Sequence, residues 1–202
     1  VSDDAGELAG LPLSPGHSVP SGQPMVDEQG RPQPPVAGGE VETQIGYLEF
    51  FRASFRWKTG DLDAAELNLT LGPSSMTLGG MMKHLAFVED HWFRYYLQGA
   101  ERSAPWNGVD WDSDRDWDWN SAASDSPDQI RTLWETSVAR SREATNAALA
   151  DGGLDHLARR IIRQDNEEPN LRWIVAHMNE EYARHLGHAD LIRESIDGLV
   201  GE

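Results

Sequence analysis

Four residues near the C-terminus, His177, Glu181, His185 and His188, are of types that bind metal ions or move protons, and their spacing lets them act together. They lie in residues 171–193, where Ile174, Met178, Tyr182, Ala189 and Ile192 recur on one apolar face. At about 100° per residue this pattern predicts a long helix. Glu181 and His185 fall inside the stripe, roughly 20° to either side of the Ile174 direction, and His177 and His188 run along its edge. A carboxylate and an imidazole turned toward a core are costly unless paired or coordinated. Placed one turn apart, at i and i+4, both reach a single point, which is the geometry of a metal site.

A third ligand has to come from another element. Of the seven histidines, His17 and His156 fall in an arm and a connector and are expected to be solvated. His84 and His91 sit on a predicted second helix that starts near Ser74-Ser75 after Pro73, with Leu78, Met82, Leu85, Glu89, Trp92 and Tyr96 along one side. Both histidines lie at the margin of that stripe, about 20° apart around the axis and about two turns apart along it. A lone histidine there is ordinarily hydrogen-bonded to a neighbour. His84 follows Met81-Met82 and can point between helices toward Glu181 and His185, which makes it the candidate third ligand. His91 lies nearer the loop end.

Two further helices complete the pattern. Ile45, Leu48, Phe51 and Phe55 recur at helical spacing from Val41 to a closing Gly60, and Asp63 with Glu66 has capping-box spacing. Ser126-Pro127-Asp128-Gln129 opens a third helix, with proline at its first position and serine and glutamine spaced to cap each other. Pro169-Asn170 precedes the fourth. No stretch alternates with a strand's period, so the expected fold is all-α, a four-helix bundle with helices of roughly 18 to 25 residues, and such bundles commonly build metal sites in their cores. Residues 1–40 hold seven of the eleven prolines and seven of the nineteen glycines. They are expected to form an extended arm, disordered or wrapped over a bundle domain spanning 41–202.

Composition narrows the chemistry. The chain has 202 residues and a formal charge of -17, which disfavours binding to phosphate backbones. There is no cysteine, so thiolate ligands, disulfides and a cysteine nucleophile are excluded and any metal must take nitrogen and oxygen ligands. No apolar run approaches a membrane span and no secretory leader is evident, which points to a cytoplasmic setting. Residues 99–124 read as a polar loop bearing Trp106, Trp111, Trp117 and Trp119 among aspartates. Its aspartates brush against a calcium-loop pattern, but Trp117 stands where the turn needs glycine and no closing glutamate follows. The functional expectation is that this loop roofs the site, with Trp117 and Trp119 shaping a ligand pocket.

The run Met76 to Phe93, with the fourth-helix run Leu171 to Arg193, resembles the DinB/YfiT-like superfamily, and its actinobacterial "mini-circle protein" branch in particular. Phe55-Arg-Trp-Lys58 and Ile196-Asp-Gly198 fit that branch too, and the resemblance spans roughly residues 41–199. It implies a bundle with a divalent metal held by one histidine of the second helix and a pair on the fourth, here His84, Glu181 and His185. A glutamate therefore stands where many members have histidine, as in the mycothiol-dependent maleylpyruvate isomerases. His188 falls where many relatives carry glutamine, which implies a role beside the ligands.

Two imidazoles and one carboxylate leave coordination positions open, as in catalytic sites. Zinc suits this set, and nickel or iron(II) accept it. The resemblance implies a thiol S-transferase or isomerase using mycothiol and a small-molecule substrate, with His177, His188 or His91 moving protons. Arg172, Arg184 and Arg193 are candidates to receive an anionic substrate, and Arg184 is the one assigned to cofactor contact. A metal-water hydrolase and a non-catalytic metal-binding or stress protein are the alternatives. Pairing of two copies through an exposed helix face is compatible with a bundle of this kind.

Overall fold

The computed structural model describes residues 25–162 and 166–201. The chain is an all-α bundle of four long helices with two short ones. Helix α1 spans Glu40–Thr59, α2 Ala64–Leu67, α3 Leu78–Glu89, α4 Trp117–Asn120, α5 Pro127–Gly152 and α6 Leu171–Asp197. Helix α3 runs on without a break as a π-helical segment, Asp90–Leu97. π-Helical turns are rare and concentrate at functional sites.

Local chemistry sets most of these boundaries. Both predicted capping boxes form, Asp63 with Glu66 before α2 and Ser126 with Gln129 before α5, and Pro127 occupies the first position of α5. Asn170 caps α6 by accepting from the Trp173 N–H. The second helix begins at Leu78, with Thr77 as its cap, later than the Ser74-Ser75 start expected after Pro73. Prolines and serines permit a helix start, but the hydroxyl that captures a free helix N–H decides where it falls. Gly60 does follow α1, yet it has an ordinary negative φ of -70°, and Asp61 takes the left-handed conformation at 56°.

The four long elements surround one core. Helix α1 packs along α6, α6 against α3, and α3 along α5. Side-chain pairs give the directions. Gln44 meets Asn179 and Lys58 meets Asp190, so α1 and α6 are parallel. His84 meets His185 while Trp92 meets Trp173, so α3 and α6 are antiparallel. Gly79 approaches Ile130 and Glu89 meets Ser141, which makes α3 and α5 parallel. Two parallel neighbours in sequence need a connection that returns along the whole bundle, about 30 Å for a 20-residue helix. Residues 98–126 make that return and lie against the face of α3 that carries Gly80, Lys83 and His84. They contain short helical turns at Trp106–Gly108, Trp117–Asn120 and Ala122–Ser124, where a plain loop was expected.

A buried polar network runs through the centre of the apolar core. Phe55, Trp134 and Tyr182 interlock at its centre, with Phe55 5.7 Å from Trp134 and 6.2 Å from Tyr182 between ring centroids. Glu89, fully buried, accepts from Arg52 through both oxygens (2.8 and 2.6 Å) and from the Tyr182 hydroxyl (2.7 Å). Trp134 donates in turn to the Tyr182 oxygen at 2.9 Å. The described part of the arm lies on α1. There the Arg31 guanidinium sits over Phe50 and Trp57, ion-paired to Asp27 at 2.6 Å. Residues 1–24, with His17, lie outside the described residues.

Candidate metal centre

The fourth-helix stripe forms as predicted, with Ile174, Met178, Tyr182, Ala189 and Ile192 all buried. The same helical phase turns His185 inward to burial and leaves Glu181 half-buried at the margin. From α3, His84 reaches across to meet them, and ligand atoms of His84, Glu181 and His185 all lie within 4.8 Å of one another. His185 Nε2 is 3.4 Å and His84 Nε2 3.7 Å from the same oxygen, Glu181 Oε2. Two imidazole nitrogens thus converge on one carboxylate oxygen from two helices.

A residue outside the expected ligand set orients this cluster. Asp118, on α4 and buried, lies 2.7 Å from His84 Nδ1. A carboxylate only accepts, so Nδ1 carries the proton and Nε2 turns its lone pair toward Glu181. Such a carboxylate–histidine pair fixes ring orientation and raises basicity in metal sites. A lone pair facing a carboxylate oxygen is repulsive unless a proton or a cation lies between them. In the metal-free protein a proton fills that role. Burial disfavours the charged ring, but the hydrogen bond to Asp118 and the nearby Glu181 carboxylate outweigh it and lift the pKa of His84 to about 9. The facing imidazoles of His185 and His84 hold the Glu181 carboxyl well below the usual carboxylate range. His185 Nδ1 is buried with no hydrogen-bond partner among the described residues. A cluster that demands positive charge, built of two nitrogens and one oxygen, fits a divalent cation.

The return connection closes one side. Trp119 stacks on His84 with ring centroids 4.7 Å apart and tilts against His185 at 5.5 Å. Gly80 makes this seat available, since a Cβ there would stand 2.9 Å from the Trp119 ring. Trp117 departs from expectation. It packs on the Lys83 ammonium, 4.5 Å from its ring centre, and edge-on to Trp106 and Trp111, so it supports the roof from behind. Successive indoles on a short helix point in different directions, and only one of the two can face α3's histidine.

The remaining candidates divide by position. His177 places Nε2 3.6 Å from Glu181 Oε1, the oxygen turned away from the other two histidines. His188 lies beside His185, ring centroids 5.8 Å apart, and its pKa is lowered by burial and by His185 and Arg184. His91 stands apart from the three ligand candidates, in a cage of Phe87, Trp92, Tyr95 and Tyr96. Its Nδ1 accepts from Arg102 at 2.7 Å, and burial with the Arg102 charge pushes its pKa to about 3. Arg184 is exposed and 3.5 Å from Glu180. Arg172 is committed to Glu40 and Asp155, while Arg193 is buried against Asp197 and the Lys58 and Gly60 carbonyls. His156, expected in solvent, is largely covered and 3.2 Å from Asp151. Beyond His177 an aromatic wall continues, Trp173 stacked on His177 at 5.0 Å and Trp92 edge-on to both.

The fold and this cluster define an all-α bundle with an inward His–Glu–His constellation under a tryptophan roof. A family model, mycothiol-S-transferase, matches residues 43–198. The chain belongs to that family, a member of the DinB/YfiT-like superfamily that its motifs resemble. A search of curated proteins finds no match. Among the described residues no helix is long and apolar enough to cross a membrane.

Proposed function

We propose that this protein is a divalent-metal-dependent transferase that moves the sulfur of mycothiol onto a small electrophilic molecule, with His84, Glu181 and His185 holding the metal. The convergence of two imidazole Nε2 atoms on one oxygen of Glu181, in a chain of this family, carries the reading. Zinc suits the donor set, with nickel and iron(II) as the other metals that accept it. When bound, such a cation lowers the pKa of a coordinated thiol toward neutrality.

The chain's own residues do the rest. Asp118 holds His84 in the tautomer that offers Nε2. Trp119 covers the His84 and His185 rings and limits water there. His177, beside the outer oxygen of Glu181, and His188, whose pKa is lowered by burial and by its neighbours His185 and Arg184, accept the thiol proton in this reading. Sulfur then bonds to the electrophilic carbon, the leaving group departs with its bonding pair, and the histidine returns the proton. His91 accepts from Arg102 through Nδ1 and lies outside this relay. A cytoplasmic setting, where low-molecular-weight thiols stay reduced, accords with this chemistry.

Elemental analysis and mycothiol consumption, measured for wild type and His185→Ala, test the proposal. Wild type should carry about one equivalent of metal, and the variant should lose most of it together with turnover. Full metal retention by His185→Ala would sink the site assignment. Undiminished turnover in thiol-free buffer would sink the transferase reading in favour of hydrolysis.

A further inference from the structure

Lys83 immediately precedes His84 on α3 and is only 3% exposed, a position lysine almost never takes unless paired. Its partners both belong to the return connection. The ammonium is 2.5 Å from Asp125 Oδ2 and 4.5 Å from the ring centre of Trp117. Trp117 opens α4, and Asp125 closes the turn at Ala122–Ser124. One buried side chain therefore holds the connection at two points. Asp118 and Trp119, which meet His84, lie between those points.

Helix α4 has only four residues, too few to hold a helical turn or its orientation unaided. Asp118 and Trp119 can both meet His84 only if contacts outside α4 fix how that turn is rotated. Resting on the metal-site reading above, we propose that Lys83 is a positioning residue, which acts on the metal centre by clamping the segment that carries Asp118 and Trp119. The charge of Lys83 and its clamping role make opposite predictions. An ammonium beside a cation site repels the ion, so by Coulomb's law alone its removal tightens metal binding. Removal of a clamp that keeps His84 oriented weakens it. The sign of the change in affinity separates the two.

Two measurements on the full chain test this: zinc affinity by competition with a chelator, and NMR contacts between the Trp119 indole and the His84 ring in metal-free protein. Lys83→Met keeps a buried aliphatic stem and loses the ammonium. It should bind zinc about tenfold more weakly and lose the Trp119–His84 contacts. Lys83→Arg retains a cation that pairs with a carboxylate and lies on an indole, so its affinity should stay within about threefold of wild type. Added to Asp118→Asn, Lys83→Met should weaken zinc by less than about threefold more, since both act through one histidine. Lys58→Met is the matched control. Lys58 is also buried, pairs with Asp190 at 3.0 Å and lies over Trp57 on α1. Its loss should lower stability and leave both readouts unchanged. If Lys83→Met does not fold, Trp117→Leu removes one of the two holds and should show the same losses at smaller size. Unchanged or tighter zinc binding in the variant that folds, persistent indole contacts, or equal losses in Lys58→Met overturns the positioning role. If wild type binds no zinc and the clamp variant still loses the indole contacts, the positioning role stands and the metal reading fails.

Discussion

Two glutamates in this bundle, Glu89 on α3 and Glu181 on α6, meet positively charged or chargeable partners in opposite ways. Glu89 is wholly buried and saturated, with the Arg52 fork on both oxygens and the Tyr182 hydroxyl behind it, all at 2.6–2.8 Å. Glu181 is half-buried, and its three histidine neighbours stand at 3.4–3.7 Å, too far for strong hydrogen bonds and suitably spaced to admit an ion. The first arrangement is closed; the second is open, and beside it His185 Nδ1 has no hydrogen-bond partner among the described residues. A closed polar network specifies how helices pack, while an open one is built to take something in.

The largest effect that would test this contrast falls on the closed side. Glu89→Gln removes the buried carboxylate from Arg52 and leaves it only Glu49, 2.8 Å away and half-buried, which costs about 3 kcal/mol. A large drop in melting temperature should follow, with metal binding intact in whatever fraction folds. A small drop would mean that the network is not the anchor described. On the open side, Asp118→Asn should lower stability less than Glu89→Gln does but weaken metal affinity about 10–100-fold, because His84 loses the carboxylate that orients it. Equal affinities by competition with a chelator would remove Asp118 from the site.

Protonation sharpens the comparison further. In the metal-free protein, histidine resonances followed by NMR should show His84 charged until about pH 9 and His91 neutral down to about pH 3. The signs for stability differ. His84 is raised above the unfolded value, so its contribution is full below about pH 6.5 and is lost as pH rises through about 9. His91 is depressed, so its neutral burial costs stability as pH falls below about 6.5, by at most about 1.4 kcal/mol per pH unit. Titration of both rings near pH 6.5 would contradict the packing of Asp118 and Arg102 alike. The smallest effect belongs to Gly80→Ala. Its new methyl group meets the Trp119 ring and should cost about 1 kcal/mol, with a changed near-ultraviolet dichroism as the indole shifts.

Much of the cluster was legible in the chain because helical periodicity is local. The phase of α6 turns His185 toward the core and sets Glu181 at its margin whatever the other helices do, and the capping boxes of α2 and α5 need only neighbours three residues apart. His84 was placed by pattern together with a family resemblance, since periodicity alone left both His84 and His91 at a stripe margin. The structure separates them: His84 faces α6, whereas His91 turns into an aromatic cage with Arg102. Asp118 was not legible. It is one of several aspartates in residues 110–118, and nothing in their local sequence distinguishes the one that meets His84. Glu89 was visible within an apolar stripe, but its Arg52 partner lies 37 positions away.

The sequence by itself determined the helices, their inward faces and the chemical kinds gathered on α6, because those follow from spacing along one backbone. Only the tertiary structure decided which polar residues become a closed network and which an open site. That choice rests on α3 and α5 being parallel neighbours, which sends residues 98–126 back across α3 and sets Asp118 and Trp119 against His84. Register between distant segments is an outcome of packing the whole core, and no local pattern encodes it.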